Sequence, residues 1–161
     1  MRLKRLSDKT AKILNLAIIK ELNASRLYTQ VANQCNNLGL FGAEKFFQSE
    51  AADELKHYQR LADYMLDRGV VPDMPALEAV TVAVSDIGDA LLEGLKAETA
   101  LETLYAGWYT EILPSDPVTA QFLLQYLEIQ QKSVGEYGDL IIRCELMGDD
   151  VLIFDQELGN L

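Results

Sequence analysis

The feature that most limits what this chain can become is the placement of its helix breakers. Glycines and prolines that coincide with caps and turns divide the chain into four stretches of about 27–30 residues, each long enough for seven or eight helical turns. Ser7 or Asp8 caps a first helix that runs to about Leu38, ahead of Gly39. A second begins near Gly42 and runs to Arg68, where Gly69 suits a left-handed C-terminal cap. Residues 70–85 carry Pro72 and Pro75, show no clean helical period, and form a long connection with room for one turn of helix. Ser85 or Asp86 opens a third helix that ends before Pro114. Asp116-Pro117 places an N-cap ahead of proline at the first helical position, a strong start for a fourth helix ending near Met147, with Gly148 as its stop. A short fifth helix, about Asp150–Leu158, follows. No stretch alternates as a strand does, although Ala79–Val84 is rich in β-branched residues.

Helices of this length span about 40–45 Å at 1.5 Å per residue. The links between the first and second, and between the third and fourth, are short, so each pair consists of antiparallel neighbours. The middle connection is too long for a hairpin and long enough to run the length of a bundle. An all-α four-helix bundle with one long crossover connection and a short C-terminal fifth helix follows. We expect one domain over residues 1–161.

Helical periodicity then assigns the core face of each helix. The stripes read Leu14, Ala17, Glu21, Ser25, Tyr28, Ala32, Cys35 on the first helix. The second gives Phe47, Glu50 or Ala51, Glu54, Tyr58, Leu61, Met65, with His57 alongside. The third gives Ile87, Leu91, Leu95 or Gly94, Glu98, Leu101, Tyr105, Trp108, Ile112. The fourth gives Leu123, Leu127, Gln130, Val134, Tyr137, Ile141. Every stripe carries a polar group near its middle: Glu21, Glu54 with His57, Glu98 and Gln130. Burying an unpaired carboxylate costs several kcal/mol, about what a whole domain has to spare. Three buried at one level also repel one another, so a cation must neutralise them. Glu54 and His57 stand at i and i+3, one turn apart on one helix face, where a carboxylate and an imidazole can share a metal ion. Three carboxylates and one imidazole bind two divalent ions if one carboxylate bridges, a donor set suited to iron, manganese or zinc. Tyr28, two turns beyond Glu21, is placed to hydrogen-bond to such a site or to supply an electron.

Composition narrows the partners. The net charge is −11, which argues against nucleic acid and is compatible with cations. No apolar run is long enough for a membrane, and the basic Met1-Arg2-Leu3-Lys4-Arg5 start is followed by no signal-peptide core, so a cytoplasmic protein is expected. Cys35 and Cys144 are far apart and read as small buried hydrophobes.

In these stretches the sequence resembles the non-haem bacterial-type ferritins, over nearly its whole length. The matching segments are Glu21-Leu-Asn-Ala-Ser-Arg-Leu-Tyr28, Gly42-Ala43 through Glu54-Leu-Lys-His57, Asp67-Arg-Gly69, Glu98, Tyr126-Leu-Glu-Ile-Gln130 and Phe154-Asp-Gln-Glu-Leu158. The resemblance implies a ferroxidase centre. Glu21 and His57 would bind a first iron, Glu54 would bridge, Glu98 would bind a second, and Gln130 would orient oxygen or water beside it, with Tyr28 as the neighbouring tyrosine. It further implies a hollow homo-oligomer, a 24-mer, that oxidises Fe(II) with O2 or H2O2 and stores ferric mineral, its fifth helices packing at the fourfold axes.

Departures from the family pattern are as specific. Gln130 and Ser133 stand where bacterioferritins carry a second Glu-x-x-His, so a symmetric site is absent. Their haem-ligand methionine would fall at Leu55, so no haem is expected. Asp53 survives from a third iron site, but Ile129, Lys132 and Ser133 replace its other acids. Gln121 and Leu124 stand where animal ferritins line a threefold channel with acids. Glu128 is a rival ligand on nearly the opposite face from Gln130. Glu50 and Glu102, one turn from Glu54 and Glu98, are candidate transit ligands. Two other readings stand beside this one. One is a ferritin-like di-iron peroxidase or oxidative-stress protein, although two cysteines cannot build a four-cysteine iron domain. The other is a structural bundle with a degenerate metal site.

Overall fold

The structure, a computed structural model, describes residues 3–161; Met1 and Arg2 of the basic start lie outside the described residues. Five helices are present and, among the described residues, no strand. They are α1 (Asp8–Asn37), α2 (Phe41–Asp67), α3 (Ile87–Ile112), α4 (Pro117–Met147) and α5 (Val151–Leu158). The breakers act where the sequence places them. Gly39, Gly69 and Gly148 all have positive φ. A Cβ on Gly69 would sit 2.2 Å from the Leu3 carbonyl oxygen, so both the turn and the close approach need glycine there. Ser7, Asp86 and Asp116 cap α1, α3 and α4 by accepting from the backbone N–H three residues on.

α2 differs. Its N-cap position is Leu40, whose side chain has no acceptor to offer. The cap comes instead from α5: Asp155, buried, accepts from Gly42 N at 2.9 Å and Ala43 N at 2.8 Å. Gly42 permits this approach, since a Cβ there would lie 1.7 Å from the Asp155 carbonyl oxygen. The short fifth helix is thereby fixed to the start of α2.

The crossover contains no helical turn; residues 70–84 are extended and form neither helix nor strand. Polar side chains of α1 hold it. Asn15 bonds Asp73 in both directions, Arg26 donates to the Glu78 carbonyl, and Gln34 donates to Val82 O at 2.7 Å and accepts from Val84 N at 2.6 Å. Anchors at 15, 26 and 34 meet the crossover at 73, 78 and 82–84, in the same order, so it runs alongside α1 in α1's direction. α3 therefore starts at the end where α1 finishes, antiparallel to it. At the opposite end Arg68 closes the bundle by pairing with Asp116 at 3.1 Å.

The core follows the expected stripes on α1 to α3, with Tyr58 and Leu95 only half-buried and Gly94 inside. On α4 the face is rotated: Leu123, Tyr126, Gln130, Tyr137 and Leu140 are buried, while Leu127, Val134 and Ile141 flank them. Tyr137 lies against bare backbone at Gly94, where a Cβ would fall 2.1 Å from its ring. Among the described residues, no helix is long and apolar enough to cross a membrane.

Candidate metal centre

Four helices each deliver their mid-stripe polar group to the interior. Glu21, Glu54, Glu98 and Gln130 are all buried, and His57 is largely so. Glu21, Glu54 and His57 bring one ligand atom each within 4.8 Å of one another. His57 Nδ1 lies 3.4 Å from Glu21 Oε2 and 3.5 Å from Glu54 Oε2. Glu98 arrives from α3 close enough to feel the charges of Glu21, Glu50 and His57. Gln130 sits on α4 between Tyr126, which bonds the His57 carbonyl, and Tyr137, which bonds Glu50, on the same helix face.

Two tyrosines aim the carboxylates. Tyr28 donates to Glu98 Oε1, and Tyr105 donates to Glu21 Oε1. In both cases the second oxygen, Oε2, is left without a hydrogen bond. Among the described residues, seven buried side-chain N and O atoms lack a hydrogen-bond partner. Six are Glu21 Oε2, Glu54 Oε2, His57 Nδ1, Glu98 Oε2 and both amide atoms of Gln130. Such atoms are costly one by one and belong together only where something positive binds them. The donor set of three carboxylates, an imidazole and an amide oxygen fits a divalent transition metal.

The protonation pattern reflects the same crowding. Burial pushes the Glu54 carboxyl up to about 9, the neighbouring Glu21 adding to it against the pull of His57. Burial alone would lower the His57 imidazole, but the adjoining carboxylates of Glu21 and Glu54 raise it to about 10. Burial would raise Glu21, yet its contacts with His57, Glu54 and Tyr105 hold it below the usual carboxylate range. Burial lifts Glu98 to about 7, against the hydrogen bond from Tyr28. In effect a proton and an imidazolium stand in for cations.

The accessory candidates separate. Glu50 is half-buried, accepts from Tyr137 at 3.0 Å and lines an open cavity of about 390 Å³ with Asp53, Glu136 and Asp139. Asp53 pairs with Lys56 at 2.5 Å. Glu102 is half-buried and, among the described residues, makes no hydrogen bond or ion pair to the centre. Glu128 is exposed, which removes it as a rival to Gln130. Sequence reasoning placed Tyr105 and Tyr137 on the core stripes without giving either a partner, and missed that Tyr126 is buried. Their spacing was the available signal: Tyr105 lies two turns from Glu98, and Tyr126 and Tyr137 bracket Gln130.

A sequence profile of the ferritin-like domain matches residues 11–147. The chain belongs to the ferritin family. Among curated relatives, a probable bacterial non-heme ferritin-like protein of Haemophilus influenzae is 26% identical over 163 residues, covering 97% of each chain. A bacterial non-heme ferritin of Escherichia coli is 27% identical over 152 residues, covering 92% of each. The match is thus to the bacterial non-haem ferritins. An open pore ferritin from the hyperthermophilic archaeon Archaeoglobus fulgidus superposes with a TM-score of 0.92 at 22% identity, covering 98% of each chain, which shows the shared fold. Within the family fold, the single histidine stands beside both Glu21 and Glu54, and α4 brings an amide, Gln130, into the same interior.

Proposed function

We propose that this ferritin is an iron-storage protein with ferroxidase activity. Family and fold support iron storage. The observation that carries the finer reading is the gathering of six unbonded buried polar atoms on Glu21, Glu54, His57, Glu98 and Gln130. Fe(II) is the substrate. Glu21 Oε2 and His57 Nδ1 bind one ion, Glu98 Oε2 binds a second, and Glu54, standing beside Glu21 and His57, bridges. Gln130 offers its amide to the oxidant, O2 or H2O2, next to the second ion. Two Fe(II) supply the two electrons that one peroxide consumes. Glu54 and His57 both hold a proton at pH 7, so loading two Fe(II) expels about two protons, and the ions replace that charge. Tyr28 and Tyr105 keep the Glu98 and Glu21 carboxylates turned so that only Oε2 of each is offered. Glu50, between the open cavity and Glu98, is the best placed transit ligand; Asp53 is engaged by Lys56, and Glu102 is a weaker candidate. The active form is one ferritin domain over 1–161 repeated in a hollow cytoplasmic shell, a 24-mer, which holds the ferric product.

The test is Fe(II) oxidation in air followed at the ferric absorbance. The wild-type protein is expected to exceed the protein-free rate by at least tenfold at two Fe(II) per chain, and Glu54→Ala to lose most of that gain. Equal rates for the two proteins would overturn the proposal.

A further inference from the structure

The two tyrosines that touch the centre have different neighbours. Tyr28 stands against Phe47, ring centroids 6.0 Å apart, and Phe47 in turn meets Phe46 and Tyr137. A phenyl ring is far harder to oxidise than a phenol, so the one oxidisable neighbour of Tyr28 is the Tyr137 hydroxyl, and that ring is itself buried with no tryptophan beside it. Tyr105 is stacked on Tyr126, centroids 4.9 Å apart and planes 18° apart, and meets Trp108 edge-on at 5.3 Å. Trp108 is the only tryptophan of the chain. It is largely buried but has an 8% exposed edge, whereas Tyr105 is wholly buried. Tyr126 closes the group against the metal centre by bonding the His57 carbonyl at 2.7 Å, its ring edge-on to the imidazole at 5.9 Å. Indole and phenol are the two aromatic side chains that give up single electrons at accessible potentials. Here they are in van der Waals contact and lead from Glu21 to the surface.

We propose that Tyr105 is a one-electron donor to the Glu21–His57 side of the centre, and that the hole it acquires leaves through the aromatic contact to Trp108. The inference rests on the ferroxidase reading for its oxidant. Hydrogen peroxide needs two electrons and two protons to become two waters. When only one Fe(II) is bound, that ion gives one electron and becomes Fe(III). Tyr105 gives the second electron together with its phenolic proton, which passes along the hydrogen bond over Glu21 Oε1. Solvent supplies the other proton, and a neutral tyrosyl radical remains. Trp108 then reduces that radical: its electron crosses the ring contact, its indole proton goes to water, and Tyr105 regains a proton by way of Glu21. The damage-prone radical ends at the protein surface, where an external reductant can reach it, instead of at the ligands.

Two measurements test this. In the first, protein loaded with one Fe(II) per chain is mixed with hydrogen peroxide, frozen within milliseconds and examined by electron paramagnetic resonance. A tyrosyl signal that narrows on ring deuteration of tyrosine is expected. It should fall at least fivefold in Tyr105→Phe, persist in Tyr28→Phe, and live several times longer in Trp108→Phe. In the second, the metal-free protein is oxidised by a photogenerated ruthenium(III) trisbipyridine. Transient absorption should show the hole shared across the contact, with tryptophan and tyrosyl radicals present together and decaying with one lifetime, in wild type and in Tyr28→Phe, and a tryptophan radical alone in Tyr105→Phe. A tyrosyl signal lost with Tyr28 and kept without Tyr105 overturns the proposal, as does a Tyr105→Phe variant indistinguishable from wild type in both measurements. If Fe(II) is not oxidised at all, the function proposed above fails, while the metal-free measurement still decides the electron path.

Discussion

The metal-free centre should make the protein less stable as pH rises from 5 to 7, the reverse of a chain held by ordinary carboxylate pairs. Glu54 and Glu98 have folded-state values near 9 and 7 against an ordinary 4.5. A raised value means that the folded state keeps a proton the unfolded chain has lost. The associated stability is complete below about pH 4.5 and drains as pH climbs through the folded value. Each such proton is worth about 1.36 kcal/mol per pH unit. Two groups over two units give a ceiling of about 5 kcal/mol; Glu98 is half ionised at pH 7 and the site can relax, so a loss on the order of 3–5 kcal/mol is expected. His57, raised from 6.5 to about 10, acts in the same direction above pH 6.5. Glu21 and Asp116 lie below their ordinary values, so their contributions are lost only as pH falls beneath about 4, outside the window. Glu54→Gln removes one of the two protons. It should cut the slope roughly in half and raise metal-free stability at pH 7 by about 3 kcal/mol. The assay is urea denaturation at several pH values and one fixed protein concentration, since assembly also stabilises. Zinc(II), which does no redox chemistry, should stabilise wild type increasingly as pH rises, because binding requires the same protons to leave. A flat or rising metal-free profile, or an unchanged slope in Glu54→Gln, would refute the account of the centre as an uncompensated cation site.

Asp155→Ala should cost about 1–2 kcal/mol by uncapping α2 at Gly42 and Ala43, and should release α5 to early proteolysis, read by limited digestion. Gly94→Ala should cost about 1–3 kcal/mol in denaturant and loosen Glu50, because the added methyl meets the Tyr137 ring that bonds it. Gln34→Ala removes both bonds to the crossover at Val82 and Val84, and amide exchange at Val84 should accelerate at least tenfold with about 1–2 kcal/mol lost.

The helices and their caps were legible because breakers are local. Ser7, Gly39, Gly69, Asp86, Asp116 and Gly148 act on their own few residues, and all of them end or start an element as the sequence implies. The cap of α2 was not legible, since Asp155 reaches it across 112 residues of chain. Nor was the state of the crossover: Pro72 and Pro75 rule out regular helix early in it, but its extended form is imposed from outside, by Asn15, Arg26 and Gln34. The ligand-bearing level of the bundle could be read because a carboxylate inside an apolar stripe violates the pattern that surrounds it. Burial of Glu21, Glu54, Glu98 and Gln130 follows from counting along each helix.

The tyrosines show where that reasoning stops. Tyr28, Tyr105, Tyr126 and Tyr137 obey the apolar pattern, so counting registers them as filling, yet a buried phenol still has a hydroxyl to satisfy. Three of the four satisfy it on acids of other helices, Glu98, Glu21 and Glu50, and the fourth on the His57 carbonyl. A buried carboxylate and a buried phenol within two turns on facing stripes are thus each other's natural partners, and the pairing decides which oxygen remains for a metal. Had phenylalanine stood at 28 and 105, Glu98 and Glu21 would each present two unbonded oxygens, free to rotate and more costly to bury. The tyrosines turn a set of acids into a set of aimed donors, and only one of the two aiming rings, Tyr105, also touches the tryptophan.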